Sequence, residues 1–320
     1  MQATDSNALP LIDISGLHSP DPVRRAAVGR ELRAACESRG FFYLCNHDIP
    51  ATLAAQVFDY SERFFAQPVD ARLSLDKAHS SCNRGYEPLR GQTLEAGSPP
   101  DLKEGFYIGI ELNEDDPRVR SGKFNHGPNQ WPAELPGFRP TMEAYFSACH
   151  ALGALVMRGL ALSLDLPEDH FDDFTADASA TLRLLHYPPQ PPNPEPGEKG
   201  CGAHTDFGAI TLLLQDEAGG LQVRDTETGD WIDAPPVPGA YVVNIGDLIA
   251  RWTNTRYRST EHRVINASGR ERYSVPFFFT GNPDYLVECL PNCLAPGDAP
   301  RFPPVTVEQH IAECYRRTYA

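Results

Sequence analysis

Paired cysteines and positively charged residues, which would each indicate a class of function, are scarce in this sequence. Its eight cysteines are scattered, with no Cys-x-x-Cys pair, and no secretion signal precedes them. We therefore expect reduced thiols that pack as small apolar side chains, not a disulfide framework. Positive charge is also scarce, with 28 Lys and Arg against 43 Asp and Glu and a net charge of −15. This balance disfavours general binding to nucleic acid or to anionic lipid surfaces.

Membrane and export signals are missing as well. No uninterrupted apolar run approaches the roughly 20 residues of a membrane span. The first fifteen residues have neither the basic start nor the apolar core of a signal peptide. We therefore expect a soluble, cytoplasmic protein that binds neither nucleic acid nor membrane. One basic stretch, ARWTNTRYRSTEHR at 250–263, is consistent with either a solvated face or a lining for anionic substrates.

The segments that are present differ in their periodicity along the chain. One strand is expected at 41–45, and helical spacing of apolar residues predicts three helices: 21–39, 50–66 and 140–164. Beyond about residue 180 the period changes to two, which predicts six short strands: 181–187, 210–215, 221–225, 240–247, 261–266 and 272–279. Evenly spaced strands joined by turns are typical of a closed or two-sheet antiparallel β-architecture. The proline-rich segment 188–200 is expected to be a loop at the mouth of this barrel; alternatively, it marks a domain boundary.

The stretch GAHTDFGAITLLLQ, residues 202–215, places His204 and Asp206 at the approach to a strand. Alternate side chains of an extended chain point the same way, so the two are expected on one face. Burying an ionised carboxylate beside an imidazole is costly unless something compensates the charge, and a metal ion would do so. His262, in the strand-like STEHRVIN, is the candidate third ligand, because folding can bring a distant strand to the site.

The residues after His262 add a candidate anion site. The segment NASG at 266–269 has the composition of a hairpin turn, which predicts that Arg272 lies alongside the His262 strand. Ser274 follows two positions later and points to the same face as Arg272. A guanidinium grips a carboxylate in two places, and a serine hydroxyl adds a further hydrogen bond. Alternatively, Arg272 forms an ordinary cross-strand salt bridge.

Several motifs together resemble one enzyme family. HTDFGAITLLLQD, VVNIGDLIARWTNTRYRSTEHRV and RERYSVPFFF resemble the isopenicillin N synthase-like branch of the Fe(II)/2-oxoglutarate-dependent dioxygenases, and so do LPLIDIS, RGFFYLCNHDIP and RLLHYPP. The similarity covers nearly the whole chain. It implies one mixed α/β (α+β) domain over 1–320, with a double-stranded β-helix (jelly-roll) core flanked by helices. The helical portion would span about 1–175, the core about 180–285, and the C-terminal helix about 306–319, beginning at Thr306.

The resemblance also implies roles for individual residues. His204, Asp206 and His262 would hold Fe(II), and Arg272 and Ser274 would bind the distal carboxylate of 2-oxoglutarate. Tyr187 would be a further partner for that carboxylate or for the substrate. The enzyme would use O2 to oxidise a C–H bond of a small molecule, with release of succinate and CO2. Two histidines and a carboxylate on one face of an octahedral metal suit this chemistry, because they leave three positions open.

Substrate residues are expected in two segments of the N-terminal half, 83–91 and 101–109. Arg84 and Tyr86 resemble substrate-contacting positions of the isopenicillin N synthase branch, and Phe106 is a further candidate. They suggest an acidic or amino-acid-like substrate. Alternatively, they form a structural salt bridge and part of the core. The sequence does not select among hydroxylation, desaturation, cyclisation and ethylene formation, and it leaves the oligomeric state open.

Three other functions fit parts of the pattern. An isopenicillin N synthase-type oxidase would use iron and O2 without 2-oxoglutarate, but the C-terminal CYRRTYA lacks that enzyme's glutamine ligand. A zinc hydrolase has similar ligands, yet the sequence offers no HExxH-like general base and no role for Arg272. A non-catalytic binding protein could have the same jelly-roll fold without the activity, but it would have no need of the three candidate metal ligands.

Overall fold

The computed structural model describes residues 8–318, in which eight α-helices and fourteen strands are formed. The helices are α1 (Pro22–Ser38), α2 (Ala51–Phe65), α3 (Val69–Leu73), α4 (Pro117–Arg120), α5 (Phe138–Ser163), α6 (Asp172–Thr175), α7 (Asp247–Trp252) and α8 (Val307–Thr318). The strands are β1 (Leu11–Asp13), β2 (Phe41–Cys45), β3 (Gly85–Glu87), β4 (Glu104–Gly109), β5 (Ser179–Tyr187), β6 (Cys201–His204), β7 (Ile210–Gln215), β8 (Leu221–Arg224), β9 (Trp231–Asp233), β10 (Tyr241–Ile245), β11 (His262–Val264), β12 (Arg272–Gly281), β13 (Leu286–Val287) and β14 (Val305–Thr306).

Most strands belong to two sheets that pack face to face. The larger sheet has the order β1-β2-β10-β7-β12-β5-β4-β3, and the smaller has the order β6-β11-β8-β9. Leu185 and Val242 of the larger sheet pack with Val223 and Val264 of the smaller one in a common apolar cluster. Helices α2 and α5 cover the outer face of the larger sheet, where Gly153 of α5 lies directly against the Phe279 ring. The predicted jelly-roll core flanked by helices is therefore confirmed.

The N-terminal half is less helical than its periodicity predicts. β1 and β2 extend one edge of the larger sheet, where β2 pairs with β10, and β3 and β4 extend the other edge beside β5. The segments 83–91 and 101–109, expected to line the substrate site, thus contain strands. These strands are short and both of their faces are buried, so they lack the alternation that identifies a half-buried strand.

The predicted hairpin at 266–269 is wrong. β11 lies between β6 and β8 in the smaller sheet, whereas β12 lies between β5 and β7 in the larger one. The connection therefore crosses from one sheet to the other. The buried Asn266 side chain stabilises this crossing by donating to the carbonyls of Tyr187 (3.1 Å), Pro188 (3.1 Å) and Arg270 (2.8 Å). Turn composition indicates that the chain bends but not which sheet it enters next.

Side chains cap the first turns of α1 and α8. Asp21 caps α1 by accepting from the Val23 N–H at 2.9 Å, and Pro22 occupies the first turn. At α8, Thr306 and Gln309 exchange backbone-to-side-chain hydrogen bonds of 3.2 and 3.3 Å, as a capping box requires.

Helix α5 is long and apolar. It is the one helix in the described part of the chain that passes a length-and-composition test for a membrane span. Half of its most apolar stretch is buried inside the fold, and a core helix passes the same test.

Candidate active site

Three side chains from separate parts of the fold converge between the two sheets. His204 ends β6, His262 begins β11, and the two residues are paired across these antiparallel strands with ring centroids 4.3 Å apart. Asp206 lies in the bend where the chain leaves β6 for β7. Its Oδ1 atom is 3.7 Å from His204 Nε2 and 3.8 Å from His262 Nε2. The predicted trio is therefore brought together, although Asp206 lies outside the strand.

The donor atoms of the trio fit a metal ion. The Nδ1 atoms of His204 and His262 lie 2.8 and 3.2 Å from the carbonyls of Gly202 and Thr260, which directs both Nε2 lone pairs toward Asp206. Thr211 and Asn244 occupy the other oxygen of Asp206, Oδ2, with hydrogen bonds of 2.5 and 2.7 Å. Two imidazole nitrogens and one carboxylate oxygen are therefore presented to one point. This set suits non-haem Fe(II) with open positions.

The charges in the trio favour a cation. Burial lowers the pKa of His204, and burial together with the nearby His204 lowers the pKa of His262 to about 4. Burial acts to raise the pKa of Asp206, but the two histidines and the two hydrogen bonds outweigh it, so that this pKa is lowered. At neutral pH the site therefore holds two neutral imidazoles and a carboxylate, the forms that bind metal. Within residues 8–318, no lysine or arginine pairs with Asp206.

A second polar cluster lies on the inner face of the larger sheet. Arg272 of β12 is opposite Tyr187 of β5, with its guanidinium carbon 4.6 Å from the ring centre. Its Nη1 atom donates to Ser274 Oγ at 3.1 Å and its Nε atom to the Gly219 carbonyl at 2.5 Å. Arg272 is fully buried and has no ion pair with any residue that the structure describes. A buried guanidinium without an acid partner is typical of a site for an anionic ligand.

Comparison with known proteins identifies the family. Residues 9–134 match the family model described as non-haem dioxygenase in morphine synthesis N-terminal, and residues 178–281 match the 2OG-Fe(II) oxygenase superfamily. A 2-oxoglutarate-Fe(II) type oxidoreductase from Emericella nidulans is 50% identical over 316 residues, which cover 98% of this chain and 90% of the relative. The chain belongs to the 2-oxoglutarate-Fe(II) oxygenase superfamily.

Other members of this superfamily support the assignment. A 2-oxoglutarate-dependent dioxygenase of Monascus ruber is 44% identical, covering 97% of this chain and 95% of the relative. A full-length Neurospora crassa protein, crystallised in complex with alpha-KG, is 33% identical, with a TM-score of 0.86 and 98% coverage of both chains. The protein is accordingly a 2-oxoglutarate-dependent oxygenase whose cofactors are Fe(II) and 2-oxoglutarate. The cosubstrate-free oxidase, the zinc hydrolase and the non-catalytic binding protein are set aside.

The predicted substrate residues of this oxygenase lie in different places. An open pocket of about 630 Å³, its mouth included, contacts His204 and Asp206. Arg84 lines a chamber beside this pocket. Tyr86 and Phe106 instead lie buried in the core that packs against α2, where the Phe106 ring is tilted against the Phe64 ring with centroids 4.6 Å apart. The structure does not bring these two rings to the pocket, because their strands extend the larger sheet beyond it.

Sequence reasoning did not identify several residues that line the pocket or support the ligands. Asn244 and Thr211 support Asp206 from strands whose pattern indicates only burial. Ile311 and Tyr315 of α8 line the pocket, and their spacing of four residues on an amphipathic helix is a usable signal. Arg183 lies on the same face of β5 as Tyr187, so strand alternation also offers a signal for this residue.

Proposed function

We propose that this oxygenase oxidises a C–H bond of a small acidic molecule that carries a flat ring. The supporting observation is Arg84, which is 2% exposed and has no ion pair among the described residues. Its Nη1 and Nη2 atoms donate to the carbonyls of Cys82 (3.0 Å) and Asn125 (2.5 Å), and its Nε atom has no hydrogen-bond partner in the part of the chain that the structure describes. A buried cation without an anion is costly, and the acid group of a substrate would balance the charge.

The chamber of Arg84 adjoins the pocket at the metal site. The two share four wall residues, which are Asn125, Thr181, Thr280 and Ile311. Three aromatic side chains line the pocket itself: Phe207, Phe278 and Tyr315. Aromatic walls favour a flat ring, which can stack on them or meet them edge to face. A molecule of this kind would place its acid group at Arg84 and its ring beside the metal site.

Ligands of similar proteins support a small cyclic substrate. The Neurospora crassa protein, at 33% identity, has also been crystallised with thymine and with 5-formyluracil. A rice protein of similar structure, at 27% identity and a TM-score of 0.73, is a dioxygenase for auxin oxidation.

In this proposal one polar cluster binds the iron and the other binds 2-oxoglutarate. His204, Asp206 and His262 would hold the iron, and Arg272, Ser274 and Tyr187 would hold the distal carboxylate of 2-oxoglutarate. When bound, Fe(II) supplies the O2 activation that couples decarboxylation of 2-oxoglutarate to oxidation of a C–H bond. The protein contributes neutral imidazoles, a buried counter-charge for the cosubstrate, and a wall that fixes the orientation of the substrate.

The substrate proposal is tested with matched acids and amides. Purified enzyme with Fe(II) and 2-oxoglutarate is given ring carboxylic acids and the corresponding carboxamides, and succinate release and substrate loss are measured. The acids are expected to stimulate succinate release and the amides are not. Arg84→Gln is expected to raise the KM of the best acid at least about tenfold, since it removes a buried charge pair. Arg120→Gln, at an exposed arginine paired with Asp115, is the control. Equal stimulation by acids and amides contradicts the proposal.

We further infer a cytoplasmic protein of the isopenicillin N synthase-like branch that binds neither nucleic acid nor membrane. The location is supported by the eight cysteines, all of which are free thiols in the structure. The lack of nucleic-acid and membrane binding is supported by the net charge of −15.

A further inference from the structure

Strand β6, which ends at His204, is bound along its backbone by side-chain carboxylates. β6 is the outermost strand of the smaller sheet, so one of its edges has no strand partner within residues 8–318. Two carboxylates from the segment before β4 bind this edge instead. Glu95 Oε2 accepts from the Ala203 N–H at 2.9 Å, and Asp101 Oδ1 accepts from the Gly202 N–H at 2.8 Å. Glu95 lies outside the two segments expected to form the substrate site, and Asp101 is the first residue of one of them, 101–109.

Glu95 is connected to His204 through a single peptide group. The Gly202 carbonyl and the Ala203 N–H belong to the same amide. The carbonyl side accepts from His204 Nδ1 at 2.8 Å, and the N–H side donates to Glu95. Hydrogen bonds on the two sides of one amide polarise each other. An anion on the N–H side therefore makes the carbonyl a stronger acceptor for the imidazole.

We propose that Glu95 is a positioning residue for the metal site, acting on His204 through the Gly202–Ala203 peptide. The inference rests on the proposed role of His204 as an iron ligand. Metal-binding histidines commonly donate their second N–H directly to a carboxylate or to a carbonyl, which fixes the ring and raises its basicity. Here the Gly202 carbonyl contacts the His204 ring directly, and the Glu95 carboxylate acts on that carbonyl through the same peptide group.

The surrounding contacts hold Glu95 in place and keep it charged. Lys199 Nζ lies 2.9 Å from Glu95 Oε2, and the hydrogen bond from Ala203 lowers the pKa of the Glu95 carboxyl. Gly202 allows the close approach of the two segments, because a Cβ there would lie 2.7 Å from Glu95 Cβ and 2.9 Å from Glu95 N. The equivalent contact of His262, with the Thr260 carbonyl, is longer at 3.2 Å. The stronger support thus belongs to His204.

The test measures metal binding, not turnover. Metal-free protein is titrated with Co(II), used as a spectroscopic probe for the Fe(II) site, and the visible absorption bands report affinity and ligand field. Glu95→Ala is expected to raise the Co(II) Kd about tenfold and to shift the bands, in the range for removing a supporting contact of a metal ligand. Glu95→Gln retains an acceptor oxygen and is expected to stay within about threefold of the wild type. Glu261→Ala, next to His262 but half-exposed and paired only with Arg224 among the described residues, is the charge-matched control.

The outcomes separate this inference from the proposed function. If Glu95→Ala binds Co(II) with the wild-type Kd and spectrum, or if Glu261→Ala weakens binding equally, the role of Glu95 is overturned while the metal site stands. If His204→Ala binds Co(II) as tightly as the wild type, the ligand assignment is overturned together with this inference. Should Glu95→Ala fail to fold, Glu95→Gln carries the test, because it keeps the acceptor oxygen but removes the negative charge. Co(II) bands that are shifted in Glu95→Gln support an effect of Glu95 on His204 through the peptide. Bands identical to those of the wild type contradict it.

Discussion

Arg272 and Tyr187 face each other on neighbouring strands of the larger sheet, with the guanidinium carbon 4.6 Å from the centre of the phenol ring. The ring covers one side of the cation and Ser274 lies 3.1 Å from its Nη1 atom. Burial raises the pKa of Tyr187, so the phenol remains neutral and adds no compensating negative charge. The cation is therefore shielded from water, and no acidic residue within 8–318 pairs with it.

Arg272→Ala is expected to weaken 2-oxoglutarate binding by about 2–5 kcal/mol, the range for truncating one partner of a buried charge pair. Binding is measured without O2 on protein loaded with Co(II), so that no turnover consumes the ligand. Arg270→Ala is the control, because the side chain of this neighbouring arginine is exposed and, among the described residues, donates only to the Glu217 carbonyl at 3.3 Å. An unchanged affinity in Arg272→Ala contradicts the assignment of the clamp.

Asp206→Asn is expected to abolish metal binding and turnover with little change of fold. In the metal-free protein Asp206 is a buried carboxylate whose Oδ1 atom faces two neutral imidazoles. The lowered pKa of Asp206 means that the fold favours its ionised form, but an amide oxygen can still accept from Thr211 and Asn244, so the metal-free variant is expected to lose only a little stability. Thermal unfolding with and without added Co(II) measures both effects. A variant that is much less stable without metal would show that Asp206 has a structural role.

Phe106→Ala tests the placement of Phe106 in the core. The ring is fully buried and lies 5.5 Å from Phe138 as well as against Phe64. Its loss is expected to lower the free energy of unfolding by about 3–5 kcal/mol, the usual range for a buried aromatic. At a temperature where the variant is folded, its KM for substrate is expected to match that of the wild type. Wild-type stability with a raised KM would restore Phe106 as a substrate contact.

The sequence was most informative where one chemical role requires particular residue types. His204, Asp206 and His262 were identified because their donor atoms suit one metal, and Arg272 and Ser274 because together they suit a carboxylate. The fold class followed from the change in the spacing of apolar residues near residue 180 and from the family resemblance. These signals depend on local residue type and spacing, which the chain displays directly.

The sequence was less informative about which sheet a segment joins. The turn at 266–269 looks like a hairpin, but the next strand enters the other sheet, a choice made by long-range packing. Tyr86 and Phe106 resembled pocket residues, yet the depth of the core around α2 depends on contacts distant in sequence. Glu95 was not identified for a similar reason. Its partners are backbone groups of β6, and side-chain patterns do not reveal which carboxylate will bind an unpaired strand edge.

His310 gives the protein a predicted pH dependence that does not involve the three metal ligands themselves. Its Nε2 atom lies 3.1 Å from the Phe207 carbonyl, and burial, with the nearby Arg251, lowers its pKa to about 4. The unfolded chain takes up a proton here near pH 6.5, before the folded chain does, so stability is complete above pH 6.5 and falls as the pH drops toward 4. The loss from this residue is roughly 3 kcal/mol at most.

His310→Gln keeps a donor for the carbonyl but cannot titrate, so its free energy of unfolding should fall less than that of the wild type between pH 7 and 4. Urea unfolding of the metal-free proteins measures this difference. Parallel pH curves would mean that His310 is protonated equally in both states.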